Sequence, residues 1–169
     1  MDEAEPAVGV DETEREPGVA GVTHSSVDWT TERTADEGVA VGDRVEFTKR
    51  ITDAEVRAFA AASGDTNRLH LDEAFAAETR FGERIVHGGL VAGLISAALA
   101  RLPGTTIYLS QELRFEGPAP IGEEFTAVVE VIEAMDGDRY RLTTRVLDDG
   151  ETIIDGEAVV LIDDDPDED

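Results

Sequence analysis

From Gly88 to Ala100 the chain runs for 13 residues without a charged side chain. The stretch is rich in Ala and Leu, and Pro103-Gly104 stops the helical pattern after Leu102. A helix that is apolar on every side has to be enclosed. It falls well short of the roughly 20 residues that a membrane span needs. The rest of the chain must therefore supply a wall around one buried central helix.

The C-terminal third supplies strands. Residues 105–116, 123–134, 139–148 and 151–162 carry β-branched runs such as Val128, Val129, Val131 and Ile132. Asp136-Gly137 and Asp149-Gly150 mark tight hairpin turns between them. Upstream, Val45 to Ile51 predicts one more strand. Thr52 and Glu55 form a capping box that opens a helix with Val56, Phe59, Ala60 and Ser63 on one face, and Gly64 is placed to stop it. Residues 64–70 form a polar loop, and Asp72 caps a short helix running through Phe75 to Thr79. The expected fold is α+β, a long buried central helix wrapped by an antiparallel sheet of about five strands. An open sheet of that kind leaves an edge, and pairing edges across a two-fold axis predicts a homodimer.

The 169 residues, enough for a single domain, include 39 acids and 14 bases, a net charge of −25. Residues 1–40 hold 11 acids and 2 bases and lack sustained periodicity. They read as a disordered or weakly ordered acidic extension, as residues 163–169 read as an acidic tail, neither taking part in the chemistry. The domain is then 41–162. Residues 41–169 still hold 28 acids against 12 bases. Such a surplus repels itself in dilute salt, and at molar salt the screening length falls to about 3 Å. Adaptation to a very salty cytoplasm accounts for this better than acidic tails on an ordinary protein. The charge argues against binding nucleic acid or anionic membranes. With no Cys in the chain, disulfides, thiolate metal sites and Cys nucleophiles are excluded. No basic patch followed by an apolar run, and no twin arginine, stands in residues 1–40. A soluble, cytoplasmic protein is expected.

Three polar residues crowd the loop after the first helix: Asp65, Asn67 and His70. A carboxylate and an imidazole that close can share one water, one accepting its proton while the other orients or reprotonates it. The same residues also suit a purely structural loop, with Asp65 capping a turn, Asn67 in a left-handed position and His70 as a satisfied loop histidine. A calcium loop is ruled out, because His70 stands where the sixth-position glycine is required. His87-Gly88-Gly89 opens the apolar helix, whose free N–H groups suit a developing oxyanion. The glycines equally permit close helix–sheet packing, with His87 as a capping or packing residue. Ser96, inside that helix, lacks the Gly-x-Ser-x-Gly elbow of a hydrolase nucleophile.

Taken together, residues 64–70 (Gly-Asp-Thr-Asn-Arg-Leu-His) and 81–88 (Phe-Gly-Glu-Arg-Ile-Val-His-Gly) resemble the hydratase-2 signature of MaoC-like (R)-specific enoyl-CoA hydratases. Arg114-Phe115, Pro118 and Gly122-Glu123 extend the match, so that the resemblance covers roughly 45–162. It implies a hot-dog fold, a dimer and an acyl-CoA tunnel near the interface. By resemblance, Asp65 and His70 are the catalytic pair that holds the water, with Asn67 supporting the loop. The Gly88 N–H is the oxyanion donor, and Ser96 lies near the pair. The implied reaction is syn hydration of a trans-2-enoyl thioester to an (R)-3-hydroxyacyl-CoA, reversible, with no metal or redox cofactor. Leu94 and Leu99 would bound the acyl pocket or simply fill the core, and Arg68, Arg84 or Arg114 would bind the CoA phosphates. Hot-dog thioesterases and carrier-protein dehydratases commonly use an acid on the central helix, and residues 88–102 contain none. The remaining rivals are a hydratase of branched or dicarboxylic acyl-CoA and a non-catalytic acyl-CoA-binding protein of the same fold.

Overall fold

A computed structural model describes residues 29–35 and 37–164. In chain order the elements are β1 (Trp29–Arg33), β2 (Arg44–Arg50), α1 (Asp53–Ser63), α2 (Arg68–Leu71), α3 (Glu73–Ala77), α4 (Gly88–Leu99), β3 (Thr105–Phe115), β4 (Glu124–Met135), β5 (Arg139–Asp148) and β6 (Glu151–Asp163). The strands form one antiparallel sheet in the order β1-β2-β4-β5-β6-β3. This sheet wraps α4, which is the hot-dog arrangement.

The local signals act as their chemistry dictates. The Thr52–Glu55 capping box closes reciprocally at the start of α1, and Gly64 ends that helix at φ 79°. Asp149 and Gly150 both take positive φ at the β5–β6 hairpin, the conformation its right-handed twist demands. The core lies between α4 and the concave face of the sheet. Leu94, Ile95 and Leu99 pack there with Phe47, Phe125, Val129, Leu142 and Ile154, all at most 5% exposed.

Three expectations are corrected. The sheet has a sixth strand, because Trp29–Arg33, assigned above to the extension, pairs with β2 from Trp29↔Lys49 to Arg33↔Val45. Only Trp29 and Thr31 turn inward along this edge strand, so its sequence shows no apolar alternation. Trp29 packs on Phe47, with the Arg101 guanidinium over both rings. Residues 1–28, including His24, and the end of the acidic tail lie outside the described residues. Second, residues 68–71 form the helical turn α2 rather than loop, and third, α4 stops at Leu99, short of Leu102. The face of α4 carrying Gly89, Gly93, Ser96 and Ala100 is exposed in this single chain, although the helix is apolar throughout.

One glycine has no substitute. Gly156 on β6 pairs with Leu113 and Thr144. A Cβ there would lie 1.9 Å from the Glu112 carbonyl oxygen, a main-chain atom that cannot swing aside. Gly156→Ala is expected to lower the unfolding free energy by about 1–3 kcal/mol, the usual cost of overpacking. Denaturant unfolding in molar KCl measures it, and a wild-type midpoint and slope would contradict the clash.

Candidate active site

The loop between α1 and α3 is built from nested short-range bonds. The Ser63 hydroxyl accepts from the Asp65 N–H at 3.1 Å. The Asp65 carboxylate accepts from the Asn67 N–H at 3.2 Å. Asn67 Oδ1 caps α2 by accepting from the Leu69 N–H at 3.1 Å. Asp72 then caps α3 by accepting from the Phe75 N–H. The first two close the turn between α1 and α2, and the last two satisfy donors that a helix start leaves free. Asn67 therefore supports the loop, and its side chain serves the one-turn helix that carries His70.

The stretch Arg84–His87, leading into α4, anchors what the loop carries. The Nδ1–H of His70 donates to the Ile85 carbonyl oxygen at 2.8 Å, which leaves Nε2 as the acceptor nitrogen. Arg84 Nε donates to the His70 carbonyl at 2.8 Å. His87 Nε2–H donates to the Asp65 carbonyl at 2.9 Å. The rings of His70 and His87 stack, with centroids 3.9 Å apart and planes 30° apart. A carboxylate oxygen of Asp65 and ring nitrogens of both histidines lie within 4.8 Å of one another. Both histidines are buried, and Asp65 is exposed. This spacing suits a water shared between acid and imidazole. It also suits a divalent cation, but one nitrogen of each ring is already spent on a carbonyl. What remains is His70 Nε2, His87 Nδ1 and the Asp65 carboxylate.

A cavity of about 420 Å³ opens beside His70 and Gly88, walled mainly by Phe81, Val91, Phe115 and Ile153. Gly88 and Gly89 start α4, and their N–H groups donate to nothing among the described residues. A Cβ on Gly88 would lie 2.8 Å from the Phe115 ring. Only glycine leaves this backbone open to a ligand without displacing that ring.

The structure thus brings together Asp65, Asn67, His70 and Gly88. It does not bring the other expected residues to the cavity. Leu94 and Leu99 are 5% and 1% exposed and face the sheet as core, while Val91, three residues past Gly88, lines the cavity instead. Ser96 lies about 12 Å along the axis from Gly88, given the helical rise. Its hydroxyl is hydrogen-bonded to Tyr108 on β3, and burial raises the Tyr108 phenol above its ordinary pKa. Arg84 is spent on the His70 carbonyl and on Asp53, and hydrogen bonds from Arg84 and Arg57 hold the Asp53 carboxyl below the usual carboxylate range. Arg68 is spent on Asp72, with its guanidinium over Phe75. Arg114 neighbours Phe115 on a strand, so it points to the opposite side, 3.9 Å from Glu112. Two residues were missed. Arg80 lines the cavity, is exposed, and has no bonded partner among the described residues. His87 lies beneath His70.

Comparison with known proteins follows this geometry. Residues 36–151 match the family model described as MaoC like domain. The chain is 48% identical to the (R)-specific enoyl-CoA hydratase of Aeromonas caviae over 131 residues, covering 75% of this chain and 97% of that one. It is 43% identical to the 3-hydroxybutyryl-CoA dehydratase of Methylorubrum extorquens over 129 residues, covering 75% of this chain and 82% of that one. Among solved structures, the (R)-hydratase of Aeromonas caviae involved in PHA biosynthesis superposes with a TM-score of 0.71 at 44% identity, over 76% of this chain and all of that one. The unliganded R-hydratase of Pseudomonas aeruginosa gives 0.70 at 44% identity, over 75% of this chain and 84% of that one.

Proposed function

We propose, from the premise that this chain belongs to the MaoC-like domain family, that it is an (R)-specific enoyl-CoA hydratase. It is a hydro-lyase that adds water to a trans-2-enoyl-CoA and dehydrates the (R)-3-hydroxyacyl-CoA in reverse. A hydratase and a dehydratase relative, covered over 97% and 82% of their lengths, support the reaction. The observation that carries the assignment of residues is the convergence of Asp65 and His70 within 4.8 Å, with His70 at the cavity that also bares the Gly88 backbone.

In this reading the thioester oxygen accepts a hydrogen bond from the Gly88 N–H, with the dipole of α4 behind it, as negative charge builds there. A water sits between the Asp65 carboxylate and His70 Nε2. As its oxygen bonds to Cβ, the pair takes up one of its protons and the π electrons move onto Cα and the carbonyl. The pair then returns a proton to Cα from the same face, so the sum is syn addition of one water. The bond from Nδ1 to Ile85 supports Nε2 as the working nitrogen. The two groups share one water and act as one unit. Val91, Phe115 and Ile153 offer apolar wall to the acyl chain.

Two wider features follow the same reading. The strand β3 is an edge that leaves Ile107 and Leu109 exposed and Tyr108 half-buried, and the open face of α4 is built of small residues. Both suit a second copy of the chain, hence a homodimer. The acidic surplus suits a salty cytoplasm, where screening lets a polyanionic CoA approach. Full activity and stability in dilute salt would count against that adaptation.

The primary test is hydration of a short trans-2-enoyl-CoA in molar KCl. Loss of the conjugated thioester absorbance follows it, and an R-specific 3-hydroxyacyl-CoA dehydrogenase reads the product. Asp65→Asn and His70→Gln are each expected to lower kcat by about 10²-fold or more while the protein stays folded. Near wild-type turnover removes that residue from the mechanism. Arg80→Ala is expected to raise KM for the CoA thioester about 5–10-fold with kcat unchanged, the loss of one charge-assisted bond to a phosphate. An unchanged KM would acquit Arg80. Light scattering is expected to give the mass of a dimer for the unmodified chain and of a monomer for Leu109→Glu; a monomeric unmodified chain sinks the interface.

A further inference from the structure

We propose that His87 is a positioning residue: its Nε2–H, held on the main-chain carbonyl of Asp65, and its ring, stacked on His70, together fix the spacing of the catalytic acid and imidazole. The inference rests on the hydratase reading above and deepens it.

The loop itself shows why such a residue is needed. Asp65 is exposed, and among the described residues every other hydrogen bond made by residues 64–67 stays within four positions along the chain. Bonds that local shape a turn but do not attach it to the body of the protein. The bond from His87 Nε2 to the Asp65 carbonyl spans 22 positions and is the one that does. His70 is held separately, through Ile85 and Arg84. Without His87, acid and imidazole would hang from the fold by different supports, and their separation would drift.

The position also excludes blander roles. His87 is the N-cap of α4, yet its side chain makes no capping bond. It is 1% exposed, packed between the ring of Phe59 at 4.9 Å and that of His70 at 3.9 Å. An apolar ring would fill that space without the cost of burying a polar group. Nδ1 has no partner among the described residues, so within them the imidazole's one hydrogen bond is the bond that pins Asp65. That same residue precedes Gly88, the start of α4. One side chain therefore references the carboxylate, the imidazole and the oxyanion donor to a single point.

Two variants separate the donor from the ring. His87→Phe keeps an aromatic ring and loses the donor, whereas His87→Gln keeps an N–H near the place of Nε2. In the full chain, His87→Phe is expected to lower kcat by about 10²-fold, the scale of a 1 Å misplacement, with KM changed less than about threefold. His87→Gln is expected to recover most of that loss. A His87→Phe protein with kcat within twofold of wild type overturns the inference, as does equal impairment of the two variants. A measurement on the unmodified protein stands apart from whether variants fold. A long-range proton–nitrogen NMR spectrum is expected to show the His87 proton on Nε2, and a proton on Nδ1 alone overturns the inference. Inactivity of the unmodified chain overturns the hydratase reading with it; an active unmodified chain beside an active His87→Phe overturns this inference alone.

Discussion

A helix without charge keeps two polar ends, and in α4 the C-terminal carbonyls find donors while the first N–H groups stay free among the described residues. Most of this structure follows from burying α4 while leaving that end usable. The sheet takes up Leu94, Ile95, Ala98 and Leu99. A wrapping sheet of this length closes around the sides of the helix, leaving its N-terminus against connecting segments. The segments there are the ones that carry polar side chains: residues 64–72, and Arg84–His87. Glycine at 88 and 89 keeps the backbone bare at that end, with Phe115 filling the space a side chain would take. The candidate site is thus located by a packing constraint, because the Gly88 N–H, without an acceptor among the described residues, lies at the cavity.

The residues around that end are held by backbone more than by one another. Ile85 and Asp65 contribute carbonyls, which accept from the two imidazoles. The effect is to commit one nitrogen of each ring and leave the other free. Arg84 extends the pattern, joining the His70 carbonyl to Asp53 in the first turn of α1. It is the kind of arginine that a search for phosphate ligands picks out, and its geometry shows a girder instead. Charge-assisted bonds to a carbonyl and a carboxylate fix the segment that carries His70 against α1.

Much of this was legible because it is local. Capping box, αL glycine and hairpin turns are decided by neighbours a few positions apart, and residues 52–64 and 136–150 take the shapes their chemistry dictates. The buried helix and the loop motif were legible for the same reason. The remainder depends on contacts far apart in sequence. Trp29–Arg33 became a strand through pairing with β2, not through any alternation of its own. His87 looked like a cap until its Nε2 was found on Asp65, 22 positions away. Arg80 carried a faint local sign. Arg57 and Arg68 each have an acid four positions away on the same helix face and are paired with it. Residues 76 and 84 are Ala and Arg, so Arg80 has no such partner. Arg80, in the turn that follows α3, is left uncommitted among the described residues.

That uncommitted arginine bears on how a chain of net charge −25 could take a substrate that carries phosphates. Long-range repulsion sets the cost of approach, and molar salt shortens its reach to about 3 Å. At contact, the local count matters rather than the total. Two acids near the site are neutralised in place, Asp53 by Arg84 and Arg57, and Asp72 by Arg68 and the start of α3. Glu55 is paired with Lys49, the only lysine in the chain. The acidic face at the β4–β5 side, with Glu123, Glu124, Asp148 and Asp149, lines a separate hollow. There burial and the neighbouring carboxylates raise the Asp148 pKa. One acidic cluster thus lies away from the site, while among the described residues the cavity wall carries Arg80 together with Glu116. A strongly acidic surface and an anionic ligand are compatible when salt removes the distant charge and ion pairs remove the near one.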